Sequence, residues 1–478
     1  MTMNRDFKVG IFFTAIAQYS TVIIQLVVNM VLSRLLSPKE IGIATIVQVL
    51  AFFFQLLAGA ALAPAIIQNK SLSDDDYGVL FNFSLIVGVL LALIFGVAGG
   101  PALAFVYKNP IYIPLCWLMS LLILMSALGQ VPNGILGKQK RFKEISVRLM
   151  ISGFIGAVFG IVAAFLHAGI YAFIIVFLVT EFCQLTLNLR MAKIHYTWNL
   201  SARPIREVLP FVSHQTNFSV LNYFYRNLDN LLVGKFLGPA ALGNYSKSYQ
   251  LISMPITILL NVINPVVQPI LSDHEQDVSL IRTTFLKICQ VLAFLAFPIS
   301  VFLSLNAKPI IYLLFGSQWT AAITPLSILS LSISVQMLSQ AMPVFWQARN
   351  LTRFLSANAI ISLIVIGTCI IIGILFGSII SVSIAVAISY LINFFISATL
   401  LLRQGLDSRL SALIKTLIKP LILGILLYFI LYFVNPYLTL AGYFVTLILR
   451  SVVWLLLIAL YLYITGDWKL VKSFISRQ

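Results

Sequence analysis

The sequence predicts an all-α polytopic membrane protein with about fourteen transmembrane helices: two six-helix lobes related by a parallel repeat, and an appended C-terminal helix hairpin. Three observations predict it. Of 478 residues, 60% are hydrophobic and 9% charged, with a mean hydropathy of +1.01, far outside soluble-protein usage. The Lys and Arg residues fall mostly on one side of the expected membrane. A turn near residue 37 returns 201 residues later, Pro38 matching Pro239.

A spanning helix needs about 20 apolar residues, and turn signals divide the chain into spans at 9–36, 41–67, 78–106, 111–136, 145–167, 169–190, 208–237, 240–271, 284–315, 320–347, 354–376, 378–402, 412–434 and 440–465. Val9 to Leu36 is too long for a signal-peptide core and no cleavage-like site follows it, so it is expected to stay as the first span. Outer loops such as Lys108-Asn109-Pro110, Phe376-Gly377-Ser378 and Asn435-Pro436-Tyr437 are turn-sized and leave no room for an extramembrane domain. The cluster Asp74, Asp75 and Asp76 reads as a solvated turn and helix start rather than a metal site. Cys116, Cys183, Cys289 and Cys369 stand singly in apolar segments, without the paired spacing of a disulfide framework or zinc site.

With both termini cytoplasmic, 23 of the 31 Lys and Arg fall at inner ends and loops, Arg148 among them. Only Arg34, Lys39, Lys108, Lys235, Lys247 and Lys308 fall at outer ends, with Arg226 and Arg450 inside spans. This asymmetry sets the orientation. It also accounts for the formal charge of +17 without a nucleic-acid partner.

The repeat aligns NMVLSRLLSPKEIGIA (Asn29 to Ala44) with NLLVGKFLGPAALGNY (Asn230 to Tyr245), so that Pro38 meets Pro239 and Gly42 meets Gly243. Each copy ends a helix, turns on proline and restarts. Six helices separate the copies, which gives them the same orientation in the membrane. The expected divisions are 1–200 for the first lobe, 201–405 for the second and 406–478 for the helix pair and tail. Pro38, Gly42, Pro239 and Gly243 are the expected gate and turn residues.

On a helical wheel Gln215, Ser219, Asn222, Tyr223, Arg226, Asp229 and Asn230 share an arc of about 120°. An ionised side chain at the centre of a span costs about 2.5 to 3.5 kcal/mol on insertion scales, so Arg226 and Asp229 are expected to face protein or water. Hydrogen-bonding glue between helices is the alternative; the number of polar groups favours a solvated pathway. The repeat-related face of the first helix carries Gln18, Gln25 and Asn29. Glu181 reads as an ion-coupling site or as the partner of a buried arginine, and Arg450 as a residue that pairs internally or snorkels rather than one that binds cargo. Gln336, Ser339 and Gln340 are further polar groups for a cavity or for packing. No P-loop, HExxH or GxSxG occurs, so nucleotide-driven or hydrolytic chemistry has no support and no cofactor or metal is expected.

LSRLLSPKEIGIATI after the first span, RNLDNLLVGKFLGPAALGNYSKSYQL after the seventh, LLFGSQW at 313–319 and the Arg353-Phe354 loop resemble the polysaccharide transporter branch of the multidrug/oligosaccharidyl-lipid/polysaccharide exporter superfamily. The resemblance implies a flippase in the bacterial cytoplasmic membrane that carries undecaprenyl-pyrophosphate-linked oligosaccharide repeat units to the outer leaflet by alternating access. It also implies contact with a polysaccharide polymerase and export machinery, and a C-terminal helix pair that shelters the lipid tail. A drug/cation antiporter of the same superfamily is the alternative, although an anionic cavity is expected there. A polyprenyl-linked glycan polymerase or ligase fits less well, because it needs a sizeable outer loop.

Overall fold

The computed structural model describes residues 2–59, 61–194, 201–272, 275–439 and 442–468; within the helices the side chains of residues 2–12, 214, 217, 218, 221, 222, 225, 261–270, 272 and 352 lie outside the described residues. Every regular element among them is helical, and the chain forms two compact units, Met1–Gly243 and Asn244–Gln478.

The first unit runs α1 (Thr2–Leu35), α2 (Pro38–Leu57), α3 (Leu62–Gln68), α4 (Asp74–Ile94), α5 (Gly100–Tyr107), α6 (Tyr112–Lys138), α7 (Phe142–Phe165), α8 (Ile170–Ala192) and α9 (Ala202–Phe236). Helix α6 is its centre, packed by α2, α3, α4, α5 and α8, while α7 lies between α1 and α8. At one end Leu62, Ile66, Leu80, Val131, Ile135 and Val208 form a shared core. Local chemistry sets the helix starts. Ser37 and Glu40 close a reciprocal cap on α2, with Pro38 in its first turn, and Ser73 and Asp76 do the same on α4. Each cap satisfies backbone N–H groups that the helix leaves open. The Asp74–Asp76 cluster is therefore a helix start, as expected.

The second unit holds α10 (Pro239–Ser272) from Asn244 onward, α11 (Val278–Leu305), α12 (Ala307–Leu314), α13 (Ile323–Ser330), α14 (Ile333–Ala348), α15 (Thr352–Leu375), α16 (Ile379–Leu400), α17 (Leu410–Val434) and α18 (Tyr443–Thr465). Its centre is α11, which packs on α13, α14 and α17. Phe294, Val301, Leu423, Leu427, Leu431 and Leu462 bury the terminal helix pair against it.

Among the described residues 11 helices are long and apolar enough to cross a membrane, and Ser317–Ser330 with Ile333–Ala348 makes a twelfth broken by 57°. The expected count of fourteen also includes α9 and α10, which are 35 and 34 residues long, α9 being the most polar of the long helices. Besides 41–67, which turns between α2 and α3, two expected spans are interrupted. The 284–315 span divides at Asn306 into α11 and α12, and 320–347 divides at Leu331–Ser332 into α13 and α14. At the second break the Leu331 and Ser332 amides bond to Ile328 and Leu329, three residues back, the tighter turn that closes a helix. The repeat is preserved to the residue: α1 ends at Leu35 and α2 begins at Pro38, while α9 ends at Phe236 and α10 begins at Pro239.

Candidate functional site

Helix α9 carries the polar stripe, and the first unit holds one edge of it. Tyr223 donates from its phenol to the Val49 carbonyl of α2, and its ring lies 5.9 Å from that of Phe53. Phe224 meets the same ring at 5.0 Å. Tyr107 donates to the Leu231 carbonyl at 3.2 Å, fixing α9 further along. Asp229 is 5% exposed, and its Oδ1 accepts from the Asn230 amide at 2.8 Å. The Oδ1 of Asn230 is buried and accepts no hydrogen bond among the described residues. Gln215 and Arg226 are exposed. The stripe thus divides: the aromatic groups lie against α2 and the carboxylate is buried, while the guanidinium and an amide stand out.

On α1, Gln18 and Gln25 are exposed and Asn29 is half-buried, its amide donating to the Gln25 carbonyl at 2.8 Å. Helix α1 packs chiefly on α7 and α9 chiefly on α2, so the two polar faces belong to separately supported helices. Asn222 lies on α9, its side chain outside the described residues.

The turn residues are brought together. A Cβ built at Gly42 would run into the Pro239 carbonyl, and one built at Gly243 into the Pro38 carbonyl. The two contacts are reciprocal under the repeat.

Glu181 lies beside a buried arginine that the charge tally misplaces. Arg148, counted among the inner-end cations, is 3% exposed inside α7. Its Nη1 donates to Asn188 Oδ1 and to Asn133 Oδ1 at 3.1 Å, and Asn188 donates on to the Gly129 carbonyl. Glu181 feels the Arg148 charge and bonds to Ser126, which also accepts from Gln55 Nε2 at 2.8 Å. The network therefore ties α2, α6, α7 and α8. Burying an ion without partners costs several kcal/mol, which is why two amides surround the guanidinium. Asn133 and Asn188, each inside an expected span, are the sequence signal for it.

Lys247, also misplaced by the tally, is 2% exposed. Its ammonium lies 5.1 Å from the Phe315 ring and 5.8 Å from that of Trp319, both in the LLFGSQW motif, and aromatic faces attract a desolvated cation. Arg450 bonds internally as expected, donating to Asn306 Oδ1 at 3.0 Å, the Asn435 carbonyl at 2.7 Å and Thr439 Oγ1 at 3.2 Å. Gln336, 2% exposed, donates to Ser332 at 2.8 Å and serves packing.

A family model described as polysaccharide biosynthesis protein matches residues 31–324, more than half of the chain, from Val31 in α1 to the first residues of α13. The chain belongs to this family. Within it the protein stands in the polysaccharide transporter branch of the multidrug/oligosaccharidyl-lipid/polysaccharide exporter superfamily, as a multi-pass membrane transporter and not an enzyme. It is 24% identical over 332 residues to the teichuronic acid biosynthesis protein TuaB of Bacillus subtilis, covering 69% of this chain and 68% of that one. It is 25% identical over 302 residues to the succinoglycan biosynthesis transport protein ExoT of Rhizobium meliloti, covering 63% and 61%. Its fold is similar to that of the lipid II flippase MurJ in an inward closed conformation, with a TM-score of 0.77 at 16% identity over 96% of this chain and 99% of that one.

Proposed function

We propose that this polysaccharide-family transporter is a flippase for undecaprenyl-pyrophosphate-linked oligosaccharide repeat units, moving them from the cytoplasmic to the outer leaflet of the bacterial cytoplasmic membrane. The observation that carries the reading is Arg226, exposed on a spanning-length helix whose same face presents amides. A guanidinium engages phosphate oxygens with a planar set of donors, and amides match the mixed donors and acceptors of a neutral sugar. Arg226 takes the pyrophosphate, and Asp229, one turn away, holds or releases the guanidinium. Asn222, Asn230, Gln215, Gln18, Gln25 and Asn29 take sugar hydroxyls. The Gly42–Pro239 and Gly243–Pro38 contacts are the outer closure of an alternating-access cycle, and Glu181 couples it to an ion gradient. Both termini lie in the cytoplasm, and the outer leaflet delivers the substrate to polymerase and export machinery. The drug/cation antiporter reading has less behind it, because a cation leads the exposed part of the stripe.

Native mass spectrometry with added undecaprenyl-pyrophosphate glycan tests the assignment. Arg226→Gln should remain folded, bind weakly and fail to flip the lipid in reconstituted vesicles, and Arg226→Lys should regain part of the activity. Binding by Arg226→Gln equal to that of the unaltered protein would refute the role. Recovery of transport when Arg226 and Asp229 are both made neutral would reduce them to a structural ion pair.

A further inference from the structure

Where α16 passes into α17, the chain makes a π-turn, Leu401–Gly405, followed by a bend through Asp407. A cleft of about 650 Å³ opens there, lined by Arg403, Asp407, Ser408, Arg409, Leu410 and Ser411. Arg403 and Arg409 are exposed, Ser411 is exposed and Ser408 half-exposed. The cleft is braced from behind by two further arginines. Arg282 of α11 donates to the Asp407 carbonyl at 3.2 Å, and Arg349 donates to the Gly405 carbonyl at 3.1 Å. The backbone of the wall is therefore tied at Gly405 and Asp407, while Arg403 and Arg409 are exposed in its lining. Asp407 is the single carboxylate of the lining, and exposed Lys415 adds a cation one turn beyond Ser411.

One face of α17 continues from this cleft. Ile414, Ile418, Ile422 and Ile425, between 43% and 47% exposed, follow Ser411 at helical spacing and form a row about 16 Å long. Cationic and hydroxyl groups at the head of an exposed apolar row match an amphiphile with a phosphate at one end and acyl chains at the other. We infer that the cleft of Arg403, Ser408, Arg409 and Ser411 binds the phosphate headgroup of an anionic membrane phospholipid, with its chains along the α17 isoleucine row. A free phosphate would use the same arginines without needing the row. Basic residues at a membrane surface attract anionic lipid, and two of them separate binding from non-binding by about tenfold or more.

The inference is independent of the flipping reading, since it requires only that the protein sit in a membrane. Native mass spectrometry of the full-length protein in detergent, titrated with phosphatidylglycerol, tests it. The unaltered protein should retain the lipid, zwitterionic phosphatidylethanolamine should bind at least about tenfold more weakly, and Arg403→Gln/Arg409→Gln should lose that preference. Arg403→Lys/Arg409→Lys, which preserves charge, should keep most of it, and Ile414→Ser/Ile418→Ser should weaken retention with the cleft intact. Equal phosphatidylglycerol binding by the double Gln variant and the unaltered protein overturns the site. Full displacement by millimolar inorganic phosphate, with the isoleucine variants unaffected, overturns the lipid assignment.

Discussion

Gly42 packs against the carbonyl of Pro239 with no room for a methyl group, and its repeat partner Gly243 packs in the same way against Pro38. In each pair the obstacle is backbone, which cannot rotate away as a side chain would. Helix ends can approach this closely only where Cβ is absent. The repeat thus places a glycine and a proline at matching positions of both turns.

Gly42→Ala should accordingly disfavour the closed turns by about 1 to 3 kcal/mol, the usual cost of overpacking. With the four native cysteines replaced, the yield of a disulfide between Lys39→Cys and Ala240→Cys reads this directly. Gly42→Ala should lower the yield several-fold, and Gly42→Ala/Gly243→Ala should lower it further. An unchanged yield would show that the turns part without passing through this packing.

The cage around Lys247 leads to a prediction of stability rather than transport. Lys247 is 2% exposed, with its ammonium beside the Phe315 and Trp319 rings, and a desolvated cation–π contact is worth about 2 kcal/mol. Phe315→Leu should lower the thermal midpoint in detergent, and Lys247→Met/Phe315→Leu should cost less than the sum of the single changes. Strict additivity would mean that the ring and the ammonium do not interact.

Much of the fold was legible because apolar length, charge asymmetry and the repeat all follow from the lipid environment. Pro38 and Pro239 mark helix starts to the residue, since proline is tolerated in a first turn and breaks the helix before it. Arg148 was hidden for the same reason: a basic residue three positions inside the expected 145–167 span looks like a snorkelling end residue. Only its partners, Asn133 and Asn188 on other helices, show that it turns inward. Lys247 was misread likewise, because Phe315 and Trp319 lie some 70 residues further along the chain. The α13–α14 break leaves a weak local trace, since Leu331 and Ser332 are ordinary residues in an apolar run and the bend is imposed by packing. On α9 the stripe was visible by periodicity, but which of its members α2 would cover was not. Periodicity gives a shared face, and Tyr223 reaches Val49 only once the tertiary contact exists.

Glu207 supplies a pH-sensitive contact at the start of α9. Ser71 donates to its carboxylate at 2.8 Å and Arg203 pairs with it at 3.1 Å, and these hydrogen bonds hold the carboxyl below the usual carboxylate range. A depressed folded-state value means that the contribution is present above the unfolded value of about 4.3 and is lost as pH falls through the lower folded one. Amide exchange of the loop around Ser71, corrected for intrinsic rate, should therefore accelerate below about pH 4. Glu207→Gln should remove the pH dependence. A pH dependence that survives in that variant would assign it elsewhere.

The Arg148 network separates folding from coupling. Arg148→Met leaves Asn133, Asn188 and Glu181 buried around an apolar chain, and breaking a buried charged network from one side costs about 3 to 5 kcal/mol. The thermal midpoint should fall sharply. Arg148→Lys should recover little, because a single ammonium cannot reach two amides with the planar geometry of a guanidinium. Glu181→Gln should be much milder, since an amide oxygen still accepts from Ser126. That mildness is what makes Glu181 testable for coupling. In reconstituted vesicles Glu181→Gln should fold, bind the lipid-linked glycan and lose the response of transport to an imposed proton gradient. If the response is unchanged, Glu181 serves only to balance Arg148. Arg148→Met/Glu181→Gln then discriminates further: a structural pair predicts that the second change recovers part of the stability lost in the first, while a coupling carboxylate predicts recovered stability with transport still unresponsive to the gradient.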